Sequence, residues 1–282
     1  NLGNKAFFPK IPGQTDCDEI LDSFIPQYYL DKDIPEEILV NHTTGQTALL
    51  QTALSQASGH ACHIRSNVRS ERKRWVQMAT HNARNTLEAR LASRQGVQKR
   101  LEALQDELGL EQLPARMECF DISHTGGELP VASCVVFDGE GPVKGDYRRF
   151  NIQTVMHEGS DDYQSMREAL TRRFTRWQDL TANPTEVKPG GKDSDETWRL
   201  LPDLLIVDGG KGQLGVACEV LEAFDLTERV PVCGLAKQFE EIFLPGESRS
   251  ILLPRRSEGL FLLQRVRDEA HRFAITSHRR RR

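Results

Sequence analysis

The chain has 282 residues, enough for two domains, with 38% hydrophobic and 28% charged residues and a formal net charge of −4. This composition indicates a soluble globular protein, and its net charge gives no bulk signal for a nucleic-acid partner. No run approaches the ~20 apolar residues of a membrane span, and no signal peptide opens the chain. Six widely spaced cysteines without a C-x-x-C pair favour reduced core residues of a cytoplasmic protein and disfavour a structural zinc site.

Basic residues are concentrated locally, in Arg65–Arg74 and in Arg265–Arg282. Local patches can form a phosphate-binding surface, but solvated helix faces carry the same pattern, so both interpretations stay open. The sequence begins at Asn1 without Met and ends in four arginines, and both ends are expected to be cuts through a longer protein.

Residues 1–113 alternate between strand-like and helix-like patterns, which predicts a mostly parallel sheet. Strands are expected at Leu2–Phe8, Glu37–Val40 and Ala61–Ile64, and helices at Asp16–Leu30, Thr44–Ala57 and Ser70–Leu108. The last helix has an apolar stripe formed by Trp75, Met78, Leu87, Leu91, Val97, Leu101, Leu104 and Leu108. Since no carboxylate stands at a strand end, this half is expected to be a scaffold domain with a long helical arm.

The connector Gly109–Pro114 is bounded by Gly and Pro, and it predicts a boundary between residues 1–113 and a second domain, residues 114–282. A polar insert, residues 181–197, is expected to be flexible. Strands are predicted in the hairpin Arg116–Phe137 and at Lys144–Ile152, Leu204–Val207, Val230–Leu235, Glu241–Leu244 and Ser250–Leu253. Helices are predicted at Asp161–Trp177, Gly212–Phe224 and from Ser257. This order is typical of the RNase H-like fold, an α/β mixed sheet flanked by helices, here preceded by a smaller α/β domain.

One carboxylate, Asp121, stands inside the apolar hairpin between Phe120 and Ile122. An ionised Asp in a buried strand costs several kcal/mol, on the order of the penalty for an unpaired buried charge, unless a cation, hydrogen bonds or a metal ion compensate it. We therefore expect a cation, a set of hydrogen-bond donors or a metal ion next to Asp121.

A second carboxylate, Asp208, ends the apolar run LLIVD and is followed by GGKGQ. The carboxyl end of a parallel strand, with a Gly-rich turn into a helix, is a common ligand site, although a simple tight turn explains the same residues. An ATPase would also need G-x-x-x-x-G-K-[ST], which the sequence lacks.

Two further residues are less specific on their own. Asp162 stands at a predicted helix start, where an N-cap role is the simpler explanation. His271 lies in the last helix, where a histidine is more often structural than catalytic. Several carboxylates together with a late-helix histidine nevertheless favour a phosphodiesterase that uses divalent cations, Mg²⁺ or Mn²⁺. The imidazole would then ligate metal or position the attacking water.

The sequence resembles the C-terminal half of the UvrC family, the dual-incision nucleases of bacterial nucleotide excision repair. The resemblance spans about residues 114–282, and residues 1–113 resemble the segment that precedes the nuclease domain. It is carried by MECFDISHTGG, VASCVVFDGEGPVKGDYRRFNI, DDYQSM, LLIVDGGKGQL, GLAK and RDEAHRFAI.

The resemblance implies a metal-dependent DNA endonuclease that cuts on the 5′ side of a lesion in damaged double-stranded DNA. It implies catalytic roles for Asp121, Asp208, Asp162 and His271, with the three aspartates as metal ligands and His271 in place of a carboxylate found in other RNase H-like nucleases. UvrB, and UvrA upstream of it, are the implied protein partners in the DNA-damage response. Weaker candidates for DNA contact are Lys211, Lys237, Arg279 and Arg280.

The chain also departs from the family pattern. The GIY-YIG nuclease, the UvrB-binding hairpin and the helix-hairpin-helix pair are not found in it, and the insert is longer than usual. A non-catalytic DNA-binding or scaffold module that keeps the nuclease fold is therefore the competing hypothesis. For residues 1–113 it is the preferred one, as a catalytically silent domain related to the nuclease fold.

Overall fold

The structure is a computed structural model, and it describes residues 3–9, 15–123, 130–153, 162–182, 195–237 and 239–279. The chain divides into two compact units, Asn1–Ala92 and Ser93–Arg282. The division into compact units does not test whether independently folding domains meet at Gly109–Pro114, so that boundary stays a prediction. Within the described residues, no helix is both long and apolar enough to cross a membrane.

The first unit is a small α/β arrangement. Its two strands, β1 and β2, pair in parallel, with Glu37 opposite His63 and Leu39 opposite Arg65. The apolar core between the strands and helices contains Ile25, Val40, Leu50, Leu54, Cys62 and Ile64. The elements are α1 (Cys17–Tyr28), β1 (Glu37–Leu39), α2 (Thr47–Ser58), β2 (His63–Arg65) and the start of α3 (Ser70–Leu108). A smaller α/β domain ahead of the main sheet is thus confirmed.

The strand predicted at Leu2–Phe8 is wrong for the part that the structure describes. Residues 3–9 have no regular secondary structure. The ring of Phe7 instead lies 5.4 Å from the ring centroids of both Phe24 and Tyr28 on α1. The apolar residues of this segment therefore pack on a helix, and the strand-like pattern arises from that packing.

Helix α3 has the predicted bounds, but only half of its predicted apolar stripe is buried. Val97, Leu101, Leu104 and Leu108 are buried in the second unit. Trp75, Met78, Leu87 and Leu91 are 48–52% exposed. In the first unit the smaller residues Val76, Ala79 and Ala83 line an apolar cavity with Phe24 and Tyr28. Val76 is only half-buried, and Ala79 and Ala83 are exposed, so this half of the helix buries neither its large nor its small apolar residues.

The second unit is built on a mixed sheet of seven strands, counted over the described residues. The strand order is β5-β4-β3-β7-β8-β9, with β6 also beside β4. The pairs β3–β7 and β7–β8 are parallel, and the other pairs are antiparallel. The strands are β3 (Arg116–Ser123), β4 (Val131–Asp138), β5 (Gly141–Pro142), β6 (Arg148–Asn151), β7 (Leu204–Asp208), β8 (Val232–Ala236) and β9 (Glu241–Phe243). The hairpin turn, residues 124–129, lies outside the described residues.

Two predicted strands are shorter in the structure. At Lys144–Ile152, residues Lys144–Asp146 form a short 3-10 helix before β6 begins. At Ser250–Leu253, only Ile251 pairs, with Ile242 of the three-residue strand β9. Most of the predicted flexible insert, residues 183–194, lies outside the described residues.

Helices cover both faces of the sheet, as predicted for the RNase H-like fold. They are α4 (Asp162–Ala182), α5 (Lys211–Ala223) and α6 (Glu258–Arg279). Helices α4 and α5 pack on one face around Phe120 and Val207. Helix α6 and the end of α3 pack on the other face, which we call the α6 face, around Cys119 and Ile206. Because side chains alternate along a strand, Asp121 and Asp208 lie on the α6 face.

A buried ion pair ties the opposite face together. Glu118 and Arg173 are only 1% and 2% exposed, and Arg173 donates Nε and Nη2 hydrogen bonds of 2.9 Å to the two carboxylate oxygens. Arg116 adds a second guanidinium at 3.1 Å. Burial alone would raise the pKa of Glu118, but the two arginines outweigh it and the pKa is lowered. Glu118 is therefore a fully compensated charge.

We expect Arg173→Met to lower the free energy of unfolding by about 3 kcal/mol, because it removes the main partner of a buried carboxylate. The loss is largest above the ordinary carboxyl pKa and shrinks as the pH falls through the lowered pKa of Glu118, since protonation removes the charge in both proteins. Urea denaturation at several pH values measures it.

The matched control is Arg172→Met on the same helix. Arg172 is 42% exposed in its pair with Glu168, so its loss should cost less than about 1 kcal/mol. Equal losses for the two variants would show that the buried pair adds nothing beyond an ordinary surface contact.

Candidate active site at the carboxyl edge of the sheet

Asp121 and Asp208 are neighbours on adjacent parallel strands. The β3–β7 register runs from Met117 opposite Leu204 to Phe120 opposite Val207. One step further along each strand are the two aspartates. Both side chains therefore emerge side by side on the α6 face, where β7 ends and the chain turns into α5.

The turn that follows Asp208 packs closely against Gly234 of β8. Val207 pairs with Gly234, and a Cβ built on Gly234 would lie 2.8 Å from the backbone carbonyl oxygen of Gly209. Any side chain at position 234 would displace this turn. Gly234 therefore helps to fix where β7 presents Asp208.

Helix α6 brings His271 to the two carboxylates. Its Nδ1 atom lies 3.4 Å from Oδ2 of Asp121, and its side chain is 48% exposed. One potential ligand atom each from Asp121, Asp208 and His271 lie within 4.8 Å of one another. Two hard oxygen donors and an imidazole at this spacing form a set that can hold a divalent cation.

A buried serine links α6 to the strands that carry the site. Ser133 pairs with Asp121 across the β3–β4 ladder, and its side chain is fully buried. Its hydroxyl donates to the backbone carbonyl of Ala270, at 3.2 Å. Since Ala270 immediately precedes His271, this bond joins the row of Asp121 to the helix turn that carries the histidine.

The carboxylates are held in an environment that disfavours their negative charges. Burial, together with the charge of Asp208, raises the pKa of Asp121 to about 6, against a lowering by His271. Burial also raises the pKa of Asp208, although the nearby positive charge of Arg267 opposes the rise. Oδ2 of Asp121 is buried and accepts no hydrogen bond from the described residues. An unsatisfied buried oxygen beside a second carboxylate fits a cation as the missing partner.

The other predicted site residues are not part of this group of three. Asp162 is the first residue of α4, on the opposite face, and it is not part of the group formed by Asp121, Asp208 and His271. Lys211 begins α5 and donates to the carbonyl of Ser248. Lys237 is exposed just after β8, and its charge acts to lower the pKa of Asp208. Arg279 ends α6. Position 280 lies outside the described residues, and the roles of all these residues stay predictions.

Two residues of this region, Ser133 and Arg267, were not predicted from the sequence. Arg267 is 6% exposed and donates to Glu240 at 2.6 Å and to Asp268 at 3.0 Å. It precedes His271 by four positions, and such spacing places two residues on one helix face. The spacing of four residues from His271 could therefore have indicated that Arg267 lies near the site. Ser133 gave a weaker one, as a polar residue within the apolar run VASCVV.

The fold and the site define a class. A mixed sheet with helices on both faces, and carboxylates where neighbouring strands meet a helix, is the RNase H-like arrangement. The family model described as the UvrC RNAse H endonuclease domain matches residues 105–275, and that of the UvrC Ribonuclease H-like domain matches residues 1–90. The chain therefore belongs to the UvrC family.

Relatives agree with this assignment. The chain is 45% identical over 291 residues to UvrABC system protein C of Alkalilimnicola ehrlichii and 45% identical over 290 residues to that of Pseudomonas aeruginosa. Each match covers all of this chain and 44% of the relative, so the chain spans less than half the length of the curated relatives it matches.

Solved structures give a weaker match. A complex of Ciona intestinalis Endonuclease V with a 24mer DNA containing an inosine followed by a ribo-adenosine is 16% identical, with a TM-score of 0.29. The match covers 61% of this chain and 65% of the other. A second complex of that protein, with a 23mer DNA, has a TM-score of 0.28 at 15% identity, covering 51% of this chain and 58% of that one. Scores this low support no inference about the present chain.

We expect Asp121→Asn to raise the stability of the metal-free protein at neutral pH, because it removes a buried charge next to Asp208. The pKa of the folded carboxyl is raised from 3.8 to about 6. Between these values the folded state binds more protons than the unfolded state, so wild-type stability falls as the pH rises through this window. The advantage of the variant should therefore grow from pH 4 to pH 7 and reach about 1–3 kcal/mol. Urea denaturation in EDTA measures it, and an advantage that does not change with pH would contradict the argument.

We expect Ser133→Ala to lower the free energy of unfolding by about 0.5–1.5 kcal/mol, the net value of one buried hydrogen bond. Ser165 provides the control, because it is also fully buried and its hydroxyl has no partner among the described residues. Ser165→Ala should be neutral or slightly stabilising in the same thermal and urea measurements. A loss of equal size at both positions would mean that the Ser133 bond to α6 contributes nothing specific.

Proposed function

We propose that residues 93–282 form a divalent-metal-dependent DNA endonuclease that hydrolyses one phosphodiester on the 5′ side of a lesion during nucleotide excision repair. Membership of the UvrC family supports the reaction class. UvrB and UvrA are the proposed protein partners, in keeping with the UvrABC names of the relatives. Damaged double-stranded DNA is the proposed substrate, and the cytoplasm is the proposed location.

The observation that carries the proposal is the unsatisfied Oδ2 of Asp121, buried beside Asp208 and within reach of His271. Asp121 and Asp208 would hold Mg²⁺ or Mn²⁺, since carboxylate oxygens are the ligands that these hard cations prefer. When bound, such cations polarise the phosphoryl oxygens and stabilise the attacking and leaving oxygens of an in-line displacement.

His271 is proposed to act on the attacking water. Its Nδ1 lies 3.4 Å from Oδ2 of Asp121, so the ring stands beside the carboxylates, and Nε2 would accept the proton of the water. The side chain is half-exposed, so the water and the DNA backbone can reach it. A role of His271 as a metal ligand is the other possibility that the same geometry supports.

The remaining predicted residues take supporting roles in this proposal. Asp162 begins the helix that packs on the opposite face, so a role in the outer surroundings of the metal fits it better than direct ligation. Lys237 is exposed close enough to Asp208 to influence its pKa, and it is the best placed of the predicted lysines to meet a phosphate. Lys211 and Arg279 are proposed as weaker contacts, together with position 280.

The first unit is proposed to be a non-catalytic scaffold. The single group of potential metal ligands found among the described residues belongs to the second unit. The family model that matches residues 1–90 is described as RNase H-like, and the first unit has a two-stranded parallel sheet. A fold kept without its acidic cluster is consistent with a DNA-binding or docking role.

Asp208→Asn in the full-length protein should lower 5′ incision by more than about 100-fold, because changes in residues that merely support a metal ligand already cost 10–100-fold. The measurement is strand nicking of lesion-containing DNA loaded with UvrB, in Mg²⁺ and in Mn²⁺. Asp179→Asn, on the exposed side of α4, is the control and should nick at the wild-type rate. Unchanged 5′ incision by the Asp208 variant would sink the proposal.

A further inference from the structure

A short hairpin loop begins next to the candidate site, at the carboxyl edge of the sheet. Strands β8 and β9 are paired as far as Ala236 opposite Glu241, so the four residues 237–240 connect them. Strand β8 is also the parallel neighbour of β7, with Leu235 opposite Asp208. The carboxyl ends of these parallel strands meet at one edge, which is where ligands of such sheets bind. The loop therefore starts beside Asp208.

An ion pair fixes the end of this loop on the α6 face. Glu240 has a φ of 56°, in the left-handed region typical of tight turns. Its carboxylate accepts hydrogen bonds of 2.6 and 3.2 Å from Nη1 and Nη2 of Arg267. Arg267 is buried on α6, about one helical turn before His271. The loop is therefore held on the side of the sheet where the candidate site lies.

The loop exposes an aromatic ring and a positive charge. Phe239 is 65% exposed, and its ring contacts no other aromatic ring or cation within the described part of the chain. Lys237 is also exposed, and it forms no ion pair with any residue that the structure describes. Both groups are thus open to a ligand in solvent.

The two acidic residues of the hairpin have other partners. Glu240 binds Arg267, which also donates to the exposed carboxylate of Asp268. Glu241 points away from the α6 face, because the next residue, Ile242, packs in the core of that face and side chains alternate along a strand. The Glu241 carboxylate accepts a hydrogen bond of 2.7 Å from the Ser250 hydroxyl. Neither glutamate therefore pairs with the Lys237 ammonium group.

A cation and an aromatic ring on one loop suit a nucleotide. Proteins that bind single strands stack bases on exposed aromatic rings and keep the backbone near basic side chains, and every base has a face that can stack. A single exposed phenylalanine is common on protein surfaces and by itself indicates no ligand. Phe239, however, lies on a loop that starts beside Asp208 and is anchored about one turn from His271.

The length of the loop limits which base can be involved. The four residues from Leu235 to Phe239 span at most roughly 14 Å, and neighbouring strands are about 4.8 Å apart. The Cα atom of Phe239 therefore lies within about 19 Å of that of Asp208. A DNA strand advances about 3.4 Å per nucleotide, so this distance covers about five nucleotides or fewer.

We propose that Phe239 stacks on a base of the cleaved DNA strand, within about five nucleotides of the scissile bond. The ion pair between Glu240 and Arg267 positions the loop for this contact. Lys237, already proposed to meet a phosphate, lies two residues away on the same loop. This inference rests on the proposed endonuclease function and adds to it a residue that holds the substrate strand beside the site.

The test is a nicking assay under single-turnover conditions, with the full-length protein and UvrB-loaded lesion DNA from which one base at a time is removed. The abasic positions are the five nucleotides of the cleaved strand on each side of the scissile bond. Phe239→Ala should lower the second-order rate constant of 5′ incision on intact DNA about tenfold, the effect of losing one modest stacking contact. Phe239→Trp should keep the wild-type rate, because an indole ring can stack on the same base.

Phe261→Ala is the matched control. Phe261 is 43% exposed on α6, ten residues and so roughly 15 Å along the helix axis before His271. This variant should incise at the wild-type rate. Urea denaturation should give Phe239→Ala nearly the stability of the wild type, because a ring that is 65% exposed buries little surface.

The decisive result is the coupling between variant and DNA. At one position, removal of the base should slow the wild type and Phe261→Ala about tenfold and have no further effect on Phe239→Ala. If the two changes multiply at every position for Phe239→Ala, or if this variant incises intact DNA at the wild-type rate, the stacking contact is overturned. Failure of the proposed function reads differently, since Asp208→Asn would then incise normally whatever residue stands at position 239.

Discussion

The candidate site depends on two carboxylates placed side by side in the register of adjacent parallel strands. Asp121 and Asp208 repel each other, and burial removes the water that would otherwise stabilise them. The surrounding elements reduce this cost without removing it. His271 and Arg267 both come from α6 and bring positive or ionisable groups, yet Asp121 Oδ2 keeps no hydrogen bond within the described chain. An arrangement that costs free energy in the protein alone is the expected signature of a site completed by a ligand.

Two carboxylates on strand β3 show the difference between structural and functional burial. Glu118 and Asp121 are three residues apart, and both are buried. Glu118 faces α4, receives two guanidinium groups and has a lowered pKa. Asp121 faces α6, receives a single contact of 3.4 Å from a half-exposed imidazole and has a raised pKa. The same strand thus carries one carboxylate whose charge the protein compensates and one whose charge it leaves largely uncompensated.

Much of this site could be predicted from the sequence, because each carboxylate interrupts an apolar run and each run defines a strand. The sequence pattern also predicts that His271 lies in the last helix. The pattern does not predict which face of the sheet α4 covers, and the role of Asp162 stays a prediction. The prediction of a continuous apolar stripe on α3 was wrong for its first half. Large apolar residues at helical spacing do not show which turns of a helix contact a core.

The balance of charge at the candidate site also bears on whether a cation could bind there. A proton and a divalent cation both neutralise Asp121, so they compete for the same oxygen. With the pKa of Asp121 raised to about 6, the carboxyl group is mostly ionised at neutral pH, so a cation would have little proton to displace. If the pKa were several units higher, the proton would win and the site would stay neutral. If Asp121 had partners like those of Glu118, the cation would find an already compensated carboxylate. The partial compensation by α6 therefore keeps the carboxylates ionisable, as a cation site would require.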